Sequence, residues 1–168
     1  EVITQSFTFV ATVEAILEVG AKPVICEVDK SLNMDPIDLE RKITERTKVI
    51  IPVHMAGVPA KMNEIMMIAK KHNLIVFEDA AQAFGAMYQG KYLGVIGDAG
   101  IFSLDIGKVI KTGEGGLFGT EEKDIIIPAM KHVSGSVKGL SGPFPPDAIF
   151  YRLLRRDLDV VISMYHDQ

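Results

Sequence analysis

The chain is short of the features that mark several common protein classes. Its 168 residues hold one cysteine, Cys26, so no intrachain disulfide can form, and a small disulfide-stapled fold is excluded. Cys26 lies in the apolar stretch "PVICEV", where a small buried thiol is expected, and a reducing compartment fits. No run approaches the roughly 18 consecutive apolar residues of a membrane span, and no basic, apolar and small-residue series forms a signal peptide. Charge of one sign is also lacking: 18 Lys and Arg against 22 Asp and Glu leave a formal net charge of -4, spread without blocks. A phosphate backbone or an anionic bilayer would find no basic tract. The expectation is a cytoplasmic protein with neither nucleic acid nor membrane as partner. Internal repeats and low-complexity tracts are absent as well.

What is present is apolar residue content, 48% of the chain, arranged in two alternating periods. Thr8 to Val19 carries Phe9, Val13, Ile16 and Leu17 at helical spacing and is stopped by Gly20, after which "KPVICEV" reads as a short strand. Asp35 is a good cap and Pro36 suits the first helical position, opening "PIDLERKI". Next come "TKVIIPVH" as a strand, "KMNEIMMIAKKHN" as a helix with Met62, Ile65, Met66 and Ala69 on one face, and "LIVFED" as a strand. "DAGIFSL" and "GGLFGT" add two more strands around a glycine-rich connection. Such βαβ repetition implies an α/β fold with a mostly parallel sheet, helices on its faces, and ligands at the carboxyl ends of the strands. The segments "ITQS", "VHMAG" and "EDAAQA" should converge there.

The chemistry concentrates at two places on that edge. In "LIVFEDAAQAFGA" an apolar run ends in Glu78 and Asp79, followed by Gln82. In "FSLDIGKVIKTGEGG" two lysines, Lys108 and Lys111, lie between a strand and a glycine cluster. A lysine screened from water can serve as an amine nucleophile, because desolvation disfavours its charged form. Pyridoxal phosphate uses such a lysine. It also needs a carboxylate facing its ring nitrogen, anion-binding groups for its phosphate and a flat group over its ring. An ionised aspartate on the ring N–H makes a charge-assisted bond, which is a role for Asp79.

The motifs "QSFTFVATVEAILEVGAKPV", "IIPVHMAGVPA", "VFEDAAQAFGA" and "GIFSLDIGKVIKTGEGG", in this order and spacing, resemble the DegT/StrS family of sugar aminotransferases over about residues 1–134. The resemblance implies a fragment of the fold type I pyridoxal phosphate transferase large domain. It implies that Lys108 forms the imine with the cofactor, that Asp79 pairs with the pyridine nitrogen, that Gln82 lies against the ring and its phenolic oxygen, that Ser103 binds the phosphate, and that Phe9 stacks on the ring face. A branch of the family carries histidine in place of the lysine and performs dehydration, so Lys108 argues for transamination. The implied substrates are a nucleotide-linked keto sugar and an amino-acid donor, and the implied assembly is a homodimer or larger. The segment here is "FSLDIGK" where the family commonly has "FSFHPTK". The family's Gly-Thr phosphate cradle and its small domain have no counterpart, which implies an incomplete site. Both ends of the chain read as cut, and a terminal strand with an unpaired edge favours association.

Other side chains have plainer expectations. Glu78 is expected to be an orienting or structural carboxylate, and Glu114 a turn residue. His54 lies near the predicted rim, either on the substrate side or as a hydrogen-bonded loop histidine. His72 and His132 are expected at the surface near helix ends, where the helix dipole favours them. Met62, Met66 and Met67 are expected to fill the core.

From about residue 135 the character changes. Gly142 to Gln168, with a "GPxPxD"-type turn, a helix, a strand and "MYHDQ", resembles a piece of the 4-hydroxythreonine-4-phosphate dehydrogenase family, which would make His166 one of three metal ligands near a nicotinamide cofactor. One imidazole cannot hold a catalytic divalent metal alone, so no metal site is assigned. By local reading, Asp147 caps a short helix after Pro143, Pro145 and Pro146, and "DVVISMY" is a buried strand. Three functions are weighed: a transaminase, a non-catalytic remnant that binds no cofactor, and a metal- and nicotinamide-dependent dehydrogenase fragment.

Overall fold

Short runs of Val and Ile, separated by amphipathic helices, build an open twisted sheet. The computed structural model describes residues 1–108, 116–120 and, for the backbone alone, 161–163. Within them the chain runs β1 (Val2–Gln5), α1 (Val10–Glu18), β2 (Pro23–Cys26), α2 (Pro36–Lys42), β3 (Val49–Ile51), α3 (Met62–His72) and β4 (Ile75–Asp79). A hairpin of β5 (Met87–Tyr88) and β6 (Lys91–Tyr92) follows, then β7 (Ala99–Ser103), β8 (Gly116–Thr120) and β9 (Val161–Ser163). The large sheet has the order β2-β1-β3-β4-β7-β8-β9. It is parallel from β2 to β7, β8 runs antiparallel to β7, and β9 runs parallel to β8. The expected α/β class and mostly parallel sheet are therefore observed. The carboxyl ends of β1, β3, β4 and β7 share one edge, and the start of β8 joins them because Gly116 lies opposite Ser103.

Strand register decides which face each side chain joins. Ile3, Ile50 and Val76 are direct neighbours across β1, β3 and β4, and they form one core layer with Leu39 of α2 and Met62, Ile65 and Ala69 of α3. Each such buried side chain contributes roughly 1.5–3 kcal/mol relative to exposure. Asp35 caps α2 by accepting the Ile37 N–H at 3.1 Å, with Pro36 behind it as expected. α3 ends on Asn73 in the left-handed conformation, after Lys70, Lys71 and His72, where cations favour the helix dipole. Met67 departs from expectation: it is 70% exposed, because five residues on from Met62 is about 140° around the helix, off the buried stripe.

α1 departs as well. Its buried residues are Thr12 and Ile16, whereas Phe9 caps the helix and, like Leu17, is more than half exposed. The apolar spacing in this segment thus marks the helix without marking its inward face. The β5–β6 hairpin is a second feature beyond the sequence reading. Gln89 and Gly90, at φ 49° and 84°, supply the two left-handed residues that a tight hairpin turn needs. Beside it, a Cβ on Gly100 of β7 would lie 2.1 Å from the Gly94 carbonyl oxygen, so only glycine lets this turn press against the sheet.

Candidate active site

The two acids at the end of β4 go to opposite faces of the sheet, because side chains alternate along a strand. Glu78 follows Val76 into the layer under α3, where it is fully buried beside His54. His54 Nδ1 accepts the Ala60 N–H at 3.1 Å, so the ring proton sits on Nε2 and is donated to Glu78 Oε2 at 2.9 Å. The backbone N–H groups of Gly94, Ile96 and Gly97 donate to the same carboxylate at 2.5–2.8 Å. Burying a carboxylate without such donors would cost several kcal/mol. His54 is thereby a hydrogen-bonded interior residue on the face opposite Asp79, and Glu78 is the structural carboxylate expected, organising the turn 94–97.

Asp79 follows Phe77 to the other face. There a cleft of about 640 Å³ lies over Ile51, Phe77, Ile101 and Phe118. Phe9, Asp79, Gln82, Ser103 and Lys108 all line it, so five residues from three separate motifs meet in one place. Asp79 is 8% exposed; its Oδ2 accepts the Thr12 hydroxyl at 2.7 Å and its Oδ1 the Ala81 N–H at 3.1 Å. Gln82 is held by its Oε1, which accepts the Ala56 N–H at 2.8 Å, and Ala56 itself has φ 52°. Ser103 ends β7, and its Oγ accepts the Asp105 N–H at 3.4 Å. Lys108 closes the turn that follows, its N–H donating to the Asp105 carbonyl at 3.1 Å. Phe9 stands at the mouth on extended backbone, φ -71° and ψ 142°. The convergence of the carboxyl ends of β1, β3 and β4 is as expected.

Thr12 is a residue that the motifs do not mark. Its only signal in the sequence is a second threonine four residues earlier, Thr8, which lies ahead of the Phe9 cap with its Oγ1 3.0 Å from Thr12 Oγ1. Gln5 carries no local signal of its role either. It is fully buried at the end of β1; its Oε1 accepts the N–H groups of Met34 and Val53, and its Nε2 donates to the carbonyls of Phe7 and Leu32. Cys26 is buried and lies away from the cleft, and burial pushes its thiol up to about 12. The thiol is buried as expected, and its raised value keeps it unreactive. Lys111, Glu114, His132 and His166 lie outside the described residues. Among the described residues no group of three or more His, Cys, Asp or Glu could hold a metal ion, and no helix is long and apolar enough to cross a membrane.

Comparison with known proteins bears on the family and the fold. The profile of the DegT/DnrJ/EryC1/StrS aminotransferase family matches residues 1–137. That of the pyridoxal phosphate biosynthetic protein PdxA matches residues 111–168. GDP-perosamine synthase of Escherichia coli O157:H7 is 38% identical over 165 residues, 98% of this chain and 45% of that protein. The crystal structure of an aminotransferase from Psychrobacter cryohalolentis superposes with a TM-score of 0.67 at 43% identity, over 68% of this chain and 30% of that one. The pyridoxal phosphate form of a putative sugar aminotransferase from Streptococcus pneumoniae gives 0.66 at 34% identity, over 68% and 33%. The chain spans less than half the length of these relatives. With a profile match over most of its residues, the chain belongs to the DegT/DnrJ/EryC1/StrS aminotransferase family.

Proposed function

We propose that the chain carries the cofactor half of a pyridoxal phosphate-dependent transaminase acting on a nucleotide-linked keto sugar, with an amino acid as donor. The observation that carries this reading is the single cleft lined by Phe9, Asp79, Gln82, Ser103 and Lys108. The residues fit the group chemically. The apolar floor of Ile51, Phe77 and Ile101 suits a flat ring, and Asp79 is a carboxylate with accepting capacity left after its two donors. When bound, pyridoxal phosphate supplies a carbonyl that condenses with amines and a ring that takes up negative charge.

The chain's own residues would divide the remaining work. Asp79 accepts the ring N–H in a charge-assisted bond. Lys108, on the turn after β7, supplies the amine that holds the cofactor and then moves a proton as general base. Gln82, fixed through Oε1, keeps its amide hydrogens for the cofactor's phenolic oxygen. The Ser103 hydroxyl donates to the phosphate, and Phe9 covers one face of the ring and excludes water. Names among the relatives support the substrate class, since GDP-perosamine synthase and a UDP-N-acetyl-3-dehydro-glucosamine aminotransferase are nucleotide-sugar enzymes. By the same reading the protein is cytoplasmic, works as a homodimer or larger assembly, and is a piece of a large domain, with 135–168 as a separate segment.

Titration with pyridoxal phosphate should raise a visible absorbance beyond that given by free lysine. Borohydride should then tie the cofactor to the peptide containing Lys108. Labelling that persists in Lys108→Ala would refute the assignment.

A further inference from the structure

α1 turns a polar side chain inward where a helix on a sheet normally turns an apolar one. Thr12 is 8% exposed, and its hydroxyl donates to Asp79 Oδ2 at 2.7 Å, a contact spanning 67 residues of sequence. A buried helical threonine commonly returns its proton to the carbonyl four residues back; this one gives it to a carboxylate on another element. An ionised carboxylate only accepts. The single Thr12 proton is therefore committed, and the 3.0 Å contact with Thr8 has Thr8 as donor.

The result is a directed series from Thr8 to Thr12 to Asp79, and all three residues line the cleft with Phe9. The Thr12 N–H also donates to the Phe9 carbonyl at 3.2 Å, so the same turn that holds the carboxylate holds the aromatic residue at the mouth. Other charged groups do not replace this contact. Lys108 and Asp105 line the same cleft. His54 reaches Asp79 only through its backbone N–H on the Asp79 carbonyl, its ring being bonded to Glu78.

We propose that Thr12, backed by Thr8, is a positioning residue: it orients the Asp79 carboxylate for the ring nitrogen and ties that carboxylate to the turn that presents Phe9. The inference rests on the pyridoxal phosphate reading of the cleft. A hydrogen bond to a charged group contributes enough that Thr12→Val should weaken pyridoxal phosphate binding roughly tenfold or more, read by absorbance titration. Thr12→Ser, which keeps the hydroxyl, should bind within about twofold of the wild-type chain, and Thr8→Val should show a smaller loss than Thr12→Val.

In the cofactor-free chain, urea midpoints of Thr12→Val, Asp79→Ala and the double variant should be non-additive, because each single change removes the one contact the two groups share. Equal affinity in wild type and Thr12→Val would overturn this inference alone, and so would Thr12→Ser binding as poorly as Thr12→Val, since packing would then be the cause. If Thr12→Val does not fold, Thr12→Ser and Thr8→Val decide: wild-type affinity in Thr8→Val together with a large loss in Thr12→Ser overturns the series. A wild-type chain that takes up no cofactor overturns the reading of the cleft itself, and additive urea midpoints overturn the Thr12–Asp79 link independently of any cofactor.

Discussion

Glu78 and Asp79 are neighbours in sequence, yet the two sides of the sheet treat them in opposite ways. Under α3, Glu78 accepts from four donors, namely His54 Nε2 and the N–H groups of Gly94, Ile96 and Gly97. A carboxylate offers about four lone-pair sites, so it is saturated and has nothing left for a ligand. On the cleft side, Asp79 receives two donors, Thr12 and Ala81. About half its accepting capacity remains, and it faces a cavity. A buried carboxylate with all its sites taken is part of the frame; one with sites to spare beside a cavity is equipped to bind.

The largest expected effect breaks the frame side. Glu78→Ala would leave three backbone donors and an imidazole unpaired in the interior, costing about 3–5 kcal/mol in urea denaturation. Asp79→Asn should cost less, about 1–2 kcal/mol, because the single amide oxygen keeps one of the two donors, Thr12 or Ala81, and loses the other, but it should abolish productive cofactor binding. Similar destabilisation by both variants would collapse the distinction between the two acids.

Gly100→Ala tests the turn that Glu78 holds. The new Cβ would meet the Gly94 carbonyl at 2.1 Å, and overpacking of this kind costs about 1–3 kcal/mol. A wild-type melting temperature in this variant would show that the turn has room to move. Cys26 offers a probe of the core beneath: with its thiol pushed up to about 12, a disulfide reagent at pH 8 should label it slowly in the native chain and fast in urea.

The smallest effect lies at the surface. Hydrogen bonds from Ser31 and Lys61 outweigh burial and hold the Asp29 carboxyl below its ordinary 3.8. The lowered folded value means that its contribution is complete above the unfolded value and lost as pH falls through the folded one. Asp29→Asn should therefore lower neutral stability slightly, leave stability in acid nearly unchanged and so make the acid dependence slightly less steep.

Much of this arrangement was legible in the residues. Caps such as Asp35 and Pro36, the stripe of Met62, Ile65 and Ala69, and the apolar run ending at Glu78 and Asp79 are local signals, and each lies where it was expected. Phe9, Asp79, Gln82, Ser103 and Lys108 were singled out by motif and do share one cleft. Less legible were the partners. Nothing local says that Thr12 turns inward, because its burial is compensated by a carboxylate 67 residues away. Nothing local gives His54 to Glu78 either, since that pairing depends on the end of β3 lying beside β4. Met67 is exposed although its side chain is apolar, because helical phase and not composition decides exposure.

By itself, the order of residues determined the alternation of strands and helices and the kinds of side chain carried to the sheet's edge, because backbone preference and apolar period act over a few neighbours. Tertiary structure alone decided which of two adjacent acids is saturated and which stays available. That outcome depends on how many donors from distant segments converge on each carboxylate, and only packing sets that number.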